Sequence, residues 1–167
     1  MKIHNVHQRR FTAPAGEVGA LLDSLASPDD RLWPRESWPP MVLDGPLREG
    51  SRGGHGPVRY AVALYEPGRT VSFRFEPSGI VAGLNGHHTF EVLPNGDTTV
   101  LRHTIDAECG LAAWTRWVLL VRPLHDALLE DALDKAERSI KGGVARPARW
   151  SPWVRVLRGM MRRRRRA

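Results

Sequence analysis

The sequence contains little cysteine and no long apolar run, and each scarcity excludes a class of protein. The single Cys109 among 167 residues rules out an intramolecular disulfide and every zinc site built from several cysteines. The longest apolar run, Trp117 to Val121, is far shorter than the roughly 18 residues of a membrane-spanning helix. The first eleven residues carry charges where a signal peptide would be apolar, so we expect a cytoplasmic protein.

Acidic residues are missing from residues 141–167, although they are frequent before that point. This segment holds Lys141 and nine arginines, a charge of +10, whereas residues 1–140 hold 15 bases and 18 acids. The net charge of +7 therefore comes from a tail attached to a mildly acidic body. We predict a domain over residues 1–140 and a basic amphipathic, accessory tail over residues 141–167. The acidic body argues against a nucleic-acid-binding domain.

The N-terminal part of the body predicts one strand followed by two short helices. Residues 3–12 favour a strand, and residues 15–26 carry apolar side chains at helical spacing. A second segment after Pro28 is interrupted by three further prolines, so it is a short helix or a packed loop.

Two hairpins follow, and their apolar alternation predicts their registers. Residues 58–65 and 69–76 flank Pro67-Gly68, typical of a type II turn, which places Val62 opposite Phe73 and Leu64 opposite Val71. Residues 84–93 and 98–107 flank Asn95-Gly96, a strong hairpin signal. A turn centred on these two residues pairs His88 with His103, so two imidazoles would interrupt an apolar face.

Residues 111–140 predict one long helix with a broad apolar stripe, bent near Pro123. Its stripe and the apolar face of the hairpins are the two large apolar surfaces of the chain. We therefore expect the helix to lie on the sheet.

The order of these elements resembles that of the START-like helix-grip superfamily, also called SRPBCC, in its bacterial polyketide cyclase/dehydrase-type branch. The resemblance covers about residues 1–140 and is carried by the Tyr65-Glu66-Pro67-Gly68-Arg69 hairpin, by Gly86-His87-His88-Thr89-Phe90 and by the helix from Arg122 to Leu133. It implies an α+β fold in which a curved antiparallel sheet wraps around a long C-terminal helix, with two short helices after the first strand. It also implies a mostly apolar pocket between sheet and helix. We expect no cofactor or metal in it.

This resemblance suggests that the protein binds a small hydrophobic molecule, ring-containing or lipid-like, in the pocket. The alternatives are a cyclase/dehydratase-type enzyme acting on a polyketide-like substrate, and a peripheral membrane-associated lipid-binding protein. The expected ligand-binding residues are those that the registers and the helical stripe turn inward: Tyr60, Val62, Phe73, Phe75, His88, Phe90, Leu101, His103, Trp117, Val121 and Leu128.

His88 and His103 are the candidate catalytic residues, and three roles remain open for them. They complete the core by bonding each other or a buried water, they contact a ligand carbonyl or hydroxyl, or they act as acid and base. A metal would need a third ligand, such as His125 or a helix carboxylate, whose placement the sequence does not fix. Burial and mutual repulsion should keep at least one of the two imidazoles neutral.

The tail also supports three alternatives. It docks its apolar residues on the domain, binds an anionic membrane surface at the inner face of the membrane, or contacts nucleic acid, which the acidic body disfavours. The cationic side chains that would contact an anionic surface are Arg155, Arg158, Arg162, Arg163, Arg164, Arg165 and Arg166.

The glycine-rich segment 50–56 predicts a mobile loop near the cavity mouth.

Overall fold

One antiparallel sheet of seven strands curves around a long helix in the computed structural model, which describes residues 1–164, and the side chains of residues 1–161. The spatial order of the strands is β1-β7-β6-β5-β4-β3-β2, so the first and last strands of the chain are neighbours. This architecture confirms the predicted α+β helix-grip fold. The strands are β1 (Lys2–Phe11), β2 (Val42–Leu43), β3 (Arg52–His55), β4 (Val58–Glu66), β5 (Thr70–Glu76), β6 (Leu84–Asn95) and β7 (Thr98–Cys109).

The hairpin of β4 and β5 has the predicted pairing at one end and a bulge at the other. Val62 lies opposite Phe73 as expected, but Ala63 is an extra residue, so Leu64 pairs with Ser72 and not with Val71. A bulge of this kind reverses which face the following residues occupy. Leu64 is consequently exposed, which corrects the prediction that it lies opposite Val71 on the apolar face.

The hairpin of β6 and β7 is shifted by two residues from the predicted register. Asn95 pairs with Thr98, and the positive φ belongs to Gly96, so the central turn residues are Gly96 and Asp97. Phe90 therefore lies opposite His103, and His88 opposite Ile105. Because the shift is an even number of residues, both imidazoles stay on the predicted face.

The long helix runs continuously over residues 111–141 and changes its geometry in the middle. It comprises α2 (Leu111–Arg116), a π-helical segment (Trp117–Val121) and α3 (Arg122–Lys141). Pro123, in the first turn of α3, has no backbone N–H to donate. The wider π turn precedes this proline and marks the irregularity that the sequence predicted as a bend.

Only the first of the two predicted short helices forms, as α1 (Ala15–Asp23). Its Gly19 lies so close to Gly68 that a β-carbon would fall 2.4 Å from the Gly68 carbonyl oxygen, and Asp23 accepts a bond from the Gly68 N–H. Residues 24–40, interrupted by four prolines, form turns instead of a second helix.

The tail packs on the domain through α4 (Pro152–Arg164). Val154 and Leu157 are buried, and the Arg158 guanidinium lies 4.1 Å from the ring centroids of both Trp38 and Trp150. These contacts favour the docking alternative over a detached accessory segment. Arg162–Arg166, part of the predicted cationic surface, lie outside the residues whose side chains the structure describes. Over residues 1–164, no helix is both long and apolar enough to span a bilayer.

Candidate functional site

A cavity of about 90 Å³ lies between the concave face of the sheet and the long helix. Its wall is mostly aliphatic and aromatic, with contributions from the sheet, the loop after α1, the long helix and Met161 of α4. The titratable side chains in the described wall are four histidines: His55, His88, His103 and His125. The site is therefore an apolar chamber with an imidazole-bearing wall.

The predicted ligand-binding residues divide between this cavity and the core beside it. Phe75, His88, His103, Trp117, Val121 and Leu128 line the cavity. Tyr60, Val62, Phe73, Phe90 and Leu101 do not: they belong to the fully packed core formed with α1 and α3. The reason is that α1 fills that part of the concave face, an arrangement that no hairpin register reveals.

His88 and His103 form a bonded pair in the cavity wall. Their side chains meet diagonally across β6 and β7, with His88 Nδ1 3.3 Å from His103 Nε2. The two residues are only 5% and 1% exposed. The His88 ring also stacks on Phe73, with ring centroids 4.9 Å apart and an interplanar angle of 17°. The pair is thus fixed in position by its own hydrogen bond and by the aromatic core.

Burial keeps both imidazoles of this pair neutral. It lowers the pKa of His88 and of His103 well below the usual value, and the neighbouring histidines would repel an added charge. In the hydrogen bond between them, one ring must therefore be the N–H donor and the other ring the acceptor. The remaining nitrogens, His88 Nε2 and His103 Nδ1, are buried without a partner in the described structure.

The neutral pair offers one donor and one acceptor in either tautomeric state. If His103 Nε2 donates, His88 carries a free N–H and His103 Nδ1 is a free acceptor. If His88 Nδ1 donates, the two roles are exchanged. The free donor and the free acceptor lie on the outer sides of the two rings, so each would bond a separate polar group.

Two further histidines extend the polar wall on either side of the pair. His55 lies next to Tyr60, with its Nδ1 3.2 Å from the phenol oxygen, and burial lowers the pKa of His55 to about 3. His125 of α3 lies beyond His103, with ring centroids 5.1 Å apart, and burial lowers its pKa as well.

The predicted ligand-binding residues include neither of them, although the sequence offers His125 as a possible metal ligand beside the pair. His55 lies in the glycine-rich segment, which forms β3 instead of the expected mobile loop, because Gly53 lets the β2 backbone approach closely. His125 stands three residues before Leu128 in α3, and this helical spacing was a usable signal for a shared face.

His7 of β1 lies next to His125, and its ring bonds two carboxylates of α3. Its Nδ1 lies 2.8 Å from Glu130 and its Nε2 3.0 Å from Asp126. Burial lowers the pKa of His7, but the hydrogen bonds and charges of the two carboxylates outweigh it and raise the pKa to about 9. Both nitrogens of this imidazolium are already bonded. His7, His125 and Asp126 lie close enough to share a metal ion, but the ion pair accounts for the bonds of His7 without one.

The loop after α1 contributes the indole rings of Trp33 and Trp38 to the cavity wall. The buried carboxylate of Asp30 accepts the backbone N–H groups of Ala26, Leu32 and Trp33, which holds the loop in shape. The Trp33 indole donates to the Pro39 carbonyl, and Trp38 donates to Asp131 of α3. A satisfied hydrogen bond at each indole lets the ring body face the cavity.

A family model for polyketide cyclase/dehydrase and lipid transport proteins matches residues 3–141, most of the chain. The chain belongs to this family. The family description names chemistry on polyketides and carriage of lipids, both of which involve hydrophobic small molecules. The match ends at the last residue of α3, so the tail lies outside it.

Several solved structures share this polyketide cyclase/dehydrase fold at low sequence identity. CalU16 from Micromonospora echinospora is 19% identical, with a TM-score of 0.59 over 94% of this chain and 82% of that one. Norcoclaurine synthase from Thalictrum flavum, in complex with dopamine and hydroxybenzaldehyde, is 14% identical, with a TM-score of 0.64 over 87% and 90%. No curated protein matches the sequence. These likenesses establish the fold alone.

Proposed function

We propose that the protein binds a hydrophobic, ring-containing or lipid-like molecule in the cavity between the sheet and the long helix. The observation that carries this proposal is an apolar wall with one neutral, bonded imidazole pair, His88 and His103, whose outer nitrogens lack protein partners. Apolar pockets with a few fixed polar groups are typical of small-molecule sites.

The ligand has a hydroxyl or carbonyl group that bonds one of the free nitrogens of the pair. An unpaired buried polar atom costs about 1–3 kcal/mol, so a ligand that satisfies one of these nitrogens gains over an unsubstituted hydrocarbon. A charged carboxylate gains less, because the neutral pair offers only one donor. The binding of dopamine and hydroxybenzaldehyde by norcoclaurine synthase, both ring compounds with hydroxyls, supports this choice of ligand chemistry.

Entry of such a ligand requires the cavity to widen. Its volume of about 90 Å³ is below the roughly 300–1,000 Å³ of sites for drug-sized molecules. Met161 lies in the wall at the tail side, and its unbranched side chain can change rotamer at small cost. We expect ligand binding to displace Met161 before it disturbs the sheet.

A pair of variants in the π-helical segment tests the proposal with 2-naphthol as the probe. Val121 lines the cavity, whereas Leu119, two residues away, is exposed. Val121→Trp should fill the chamber and weaken 2-naphthol binding at least about tenfold, while Leu119→Trp leaves it unchanged. Equal affinity in both variants would place the probe elsewhere and end the proposal. Native mass spectrometry of protein purified from its own host is a second test, because it would give the mass of a retained ligand.

The second candidate is a cyclase/dehydratase-type enzyme that uses the same pair as acid and base. It is favoured by the free acceptor nitrogen of the pair, which can take an α-proton and then return it to the carbonyl oxygen of the same substrate, giving an enol with both rings neutral again. Deuterium exchange into 2-tetralone distinguishes the candidates. An enzyme would accelerate exchange and lose this rate, but not affinity, in His88→Asn/His103→Asn. A binding protein would lose affinity and show no acceleration.

A further inference from the structure

The helix α4 has two apolar faces, of which only one is packed. The inner face buries Val154 and Leu157 and places Met161 in the cavity wall. The outer face consists of Trp153, Val156 and Met160, which are 47%, 51% and 56% exposed. Their spacing of three and four residues places these three side chains on one side of the helix. The predicted amphipathic tail therefore carries apolar side chains on two sides of its helix.

A neighbouring element enlarges the outer face. Leu119 of the π-helical segment is 55% exposed, and its carbonyl oxygen accepts the Trp153 indole N–H at 2.9 Å. Single exposed apolar residues are ordinary, but a contiguous group on two packed elements marks an interaction surface. We call Leu119, Trp153, Val156 and Met160 the outer patch.

The charges around the outer patch select its partner. Arg155 is exposed on the same helix, Arg149 is exposed three residues before this helix begins, and residues 141–167 contain ten bases and no acid. An apolar face with tryptophan, bordered by arginines, is typical of a helix that lies in a bilayer interface. A nucleic acid would use the arginines but would leave the four exposed apolar side chains of the outer patch without a role.

The contacts that hold α4 on the domain also connect the outer patch to the cavity. Both indoles that enclose Arg158, those of Trp38 and Trp150, donate to one oxygen of Asp131, at 2.7 and 2.9 Å. Trp38 itself lines the cavity. A shift of α4 therefore moves Met161 and loosens Trp38 at the same time.

We propose that the outer patch docks on an anionic bilayer and that this docking shifts α4 and opens the cavity to a ligand dissolved in the membrane. The docking rests on the patch and its charges. The opening also rests on the proposed ligand-binding function.

Vesicle co-sedimentation tests the docking with the full chain. Vesicles containing about 30% phosphatidylglycerol should bind the protein, and pure phosphatidylcholine vesicles should bind it at least about tenfold more weakly. Trp153→Ser/Val156→Ser/Met160→Ser should reduce binding to the anionic vesicles about tenfold or more. The matched control is Val6→Ser/Val42→Ser/Leu111→Ser, which removes three exposed apolar side chains elsewhere and keeps the charge. Equal loss in both variants, or none in the first, contradicts the docking.

A DNA oligonucleotide serves as the competing polyanion in the same assay. Retained DNA binding by the outer-patch variant, with no vesicle binding by the native protein, would assign the tail to nucleic acid and overturn the proposal. Displacement of DNA by anionic vesicles that depends on Trp153, Val156 and Met160 supports it.

The rate of 2-naphthol binding tests the opening. Anionic vesicles should raise this rate in the native protein at least about threefold and leave it unchanged in the outer-patch variant. Arg158→Ala, which unseats α4, should raise the rate without vesicles. If the outer-patch variant still binds 2-naphthol in solution but vesicles do not alter the native rate, the opening is wrong and the ligand-binding function stands. If neither protein binds 2-naphthol, the ligand-binding function fails, while the docking is judged on the vesicles alone.

Discussion

His7 and His103 are direct partners on the neighbouring strands β1 and β7, yet they differ in charge. His7 bonds Asp126 and Glu130 of α3 and is an imidazolium at neutral pH. His103 bonds only another histidine and is neutral. The charge on His7 also helps to keep His103 uncharged. The difference teaches that the helix carboxylates, and not the strand position, decide the protonation of a histidine on this sheet.

The largest expected effect is on stability in acid and follows from the neutral histidines. Their pKa values are lowered in the folded state, so they stabilise it above the unfolded value near 6.5, and this stability is lost as the pH falls below that value. Each such group contributes a slope of about 1.4 kcal/mol per pH unit below 6.5. His88→Leu/His103→Leu should lower the slope by about two protons in urea unfolding between pH 6.5 and 4.5. The exposed neighbour in His87→Leu is the control, and equal slopes would show that the pair is charged.

The next largest effect concerns the buried carboxylates of α3 that bond Arg9, two residues after His7 on β1. Arg9 Nη1 lies 2.5 Å from Asp134 and 3.0 Å from Glu137, both of which are buried. Arg9→Ala removes the arginine from both charges and leaves Asp134 with the Ala148 N–H and Glu137 with Lys141 at 3.4 Å, so it should lower the free energy of unfolding by about 3 kcal/mol at pH 7. The exposed neighbour gives the control: Arg10→Ala should change it by less than about 0.5 kcal/mol. A small loss for Arg9→Ala would mean that water reaches the two carboxylates.

A smaller effect separates the two partner histidines directly. The folded pKa of His7 is raised to about 9, so its contribution is fully present below pH 6.5 and is lost as the pH rises towards 9. Its carboxylate partners are more than a third exposed, so His7→Gln should cost only about 1–2 kcal/mol at pH 6. The difference from the native protein should vanish above about pH 9. Thermal unfolding at both pH values measures this, and a constant difference would contradict a charged His7.

The smallest effect concerns the hydrogen bond between His55 and Tyr60. Tyr60→Phe removes the phenol beside His55 Nδ1 and leaves that buried nitrogen unbonded. The expected loss is about 1 kcal/mol at pH 7, measured by urea unfolding. His55→Leu/Tyr60→Phe should restore part of it, because both polar partners are then absent. A double variant as unstable as the sum of the single ones would rule out a bond between them.

The strands and the long helix could be predicted from the sequence because their apolar patterns are local. The registers were predicted less well, for reasons confined to single residues. Asn95-Gly96 is a common pair of central turn residues, but here the positive φ falls at Gly96 alone, which moves the pairing by two residues. The bulge at Ala63 leaves no mark in the alternation of residues 58–65.

The site was predicted in part, because its residues come from distant elements. His88 and His103 could be placed on one face by counting along a hairpin. His55 lies in the same wall only because β3 pairs with β4, and His125 only because α3 packs on the sheet. The sequence of either segment alone does not predict these contacts. The packing of α4 likewise depends on Trp38, Trp150 and Asp131 together.

The pairing of β1 with β7 has a consequence for how the chain folds during its synthesis. Lys2 pairs with Glu108 and Phe11 with Thr99, so the first strand leaves the ribosome long before its partner exists. Until then its backbone groups are an open edge, which favours contact with chaperones or with other nascent chains. Pairing between such distant segments also slows folding. Substitutions that weaken β1 should therefore reduce the yield of folded protein in cells more than they reduce the stability of the molecules that complete the sheet.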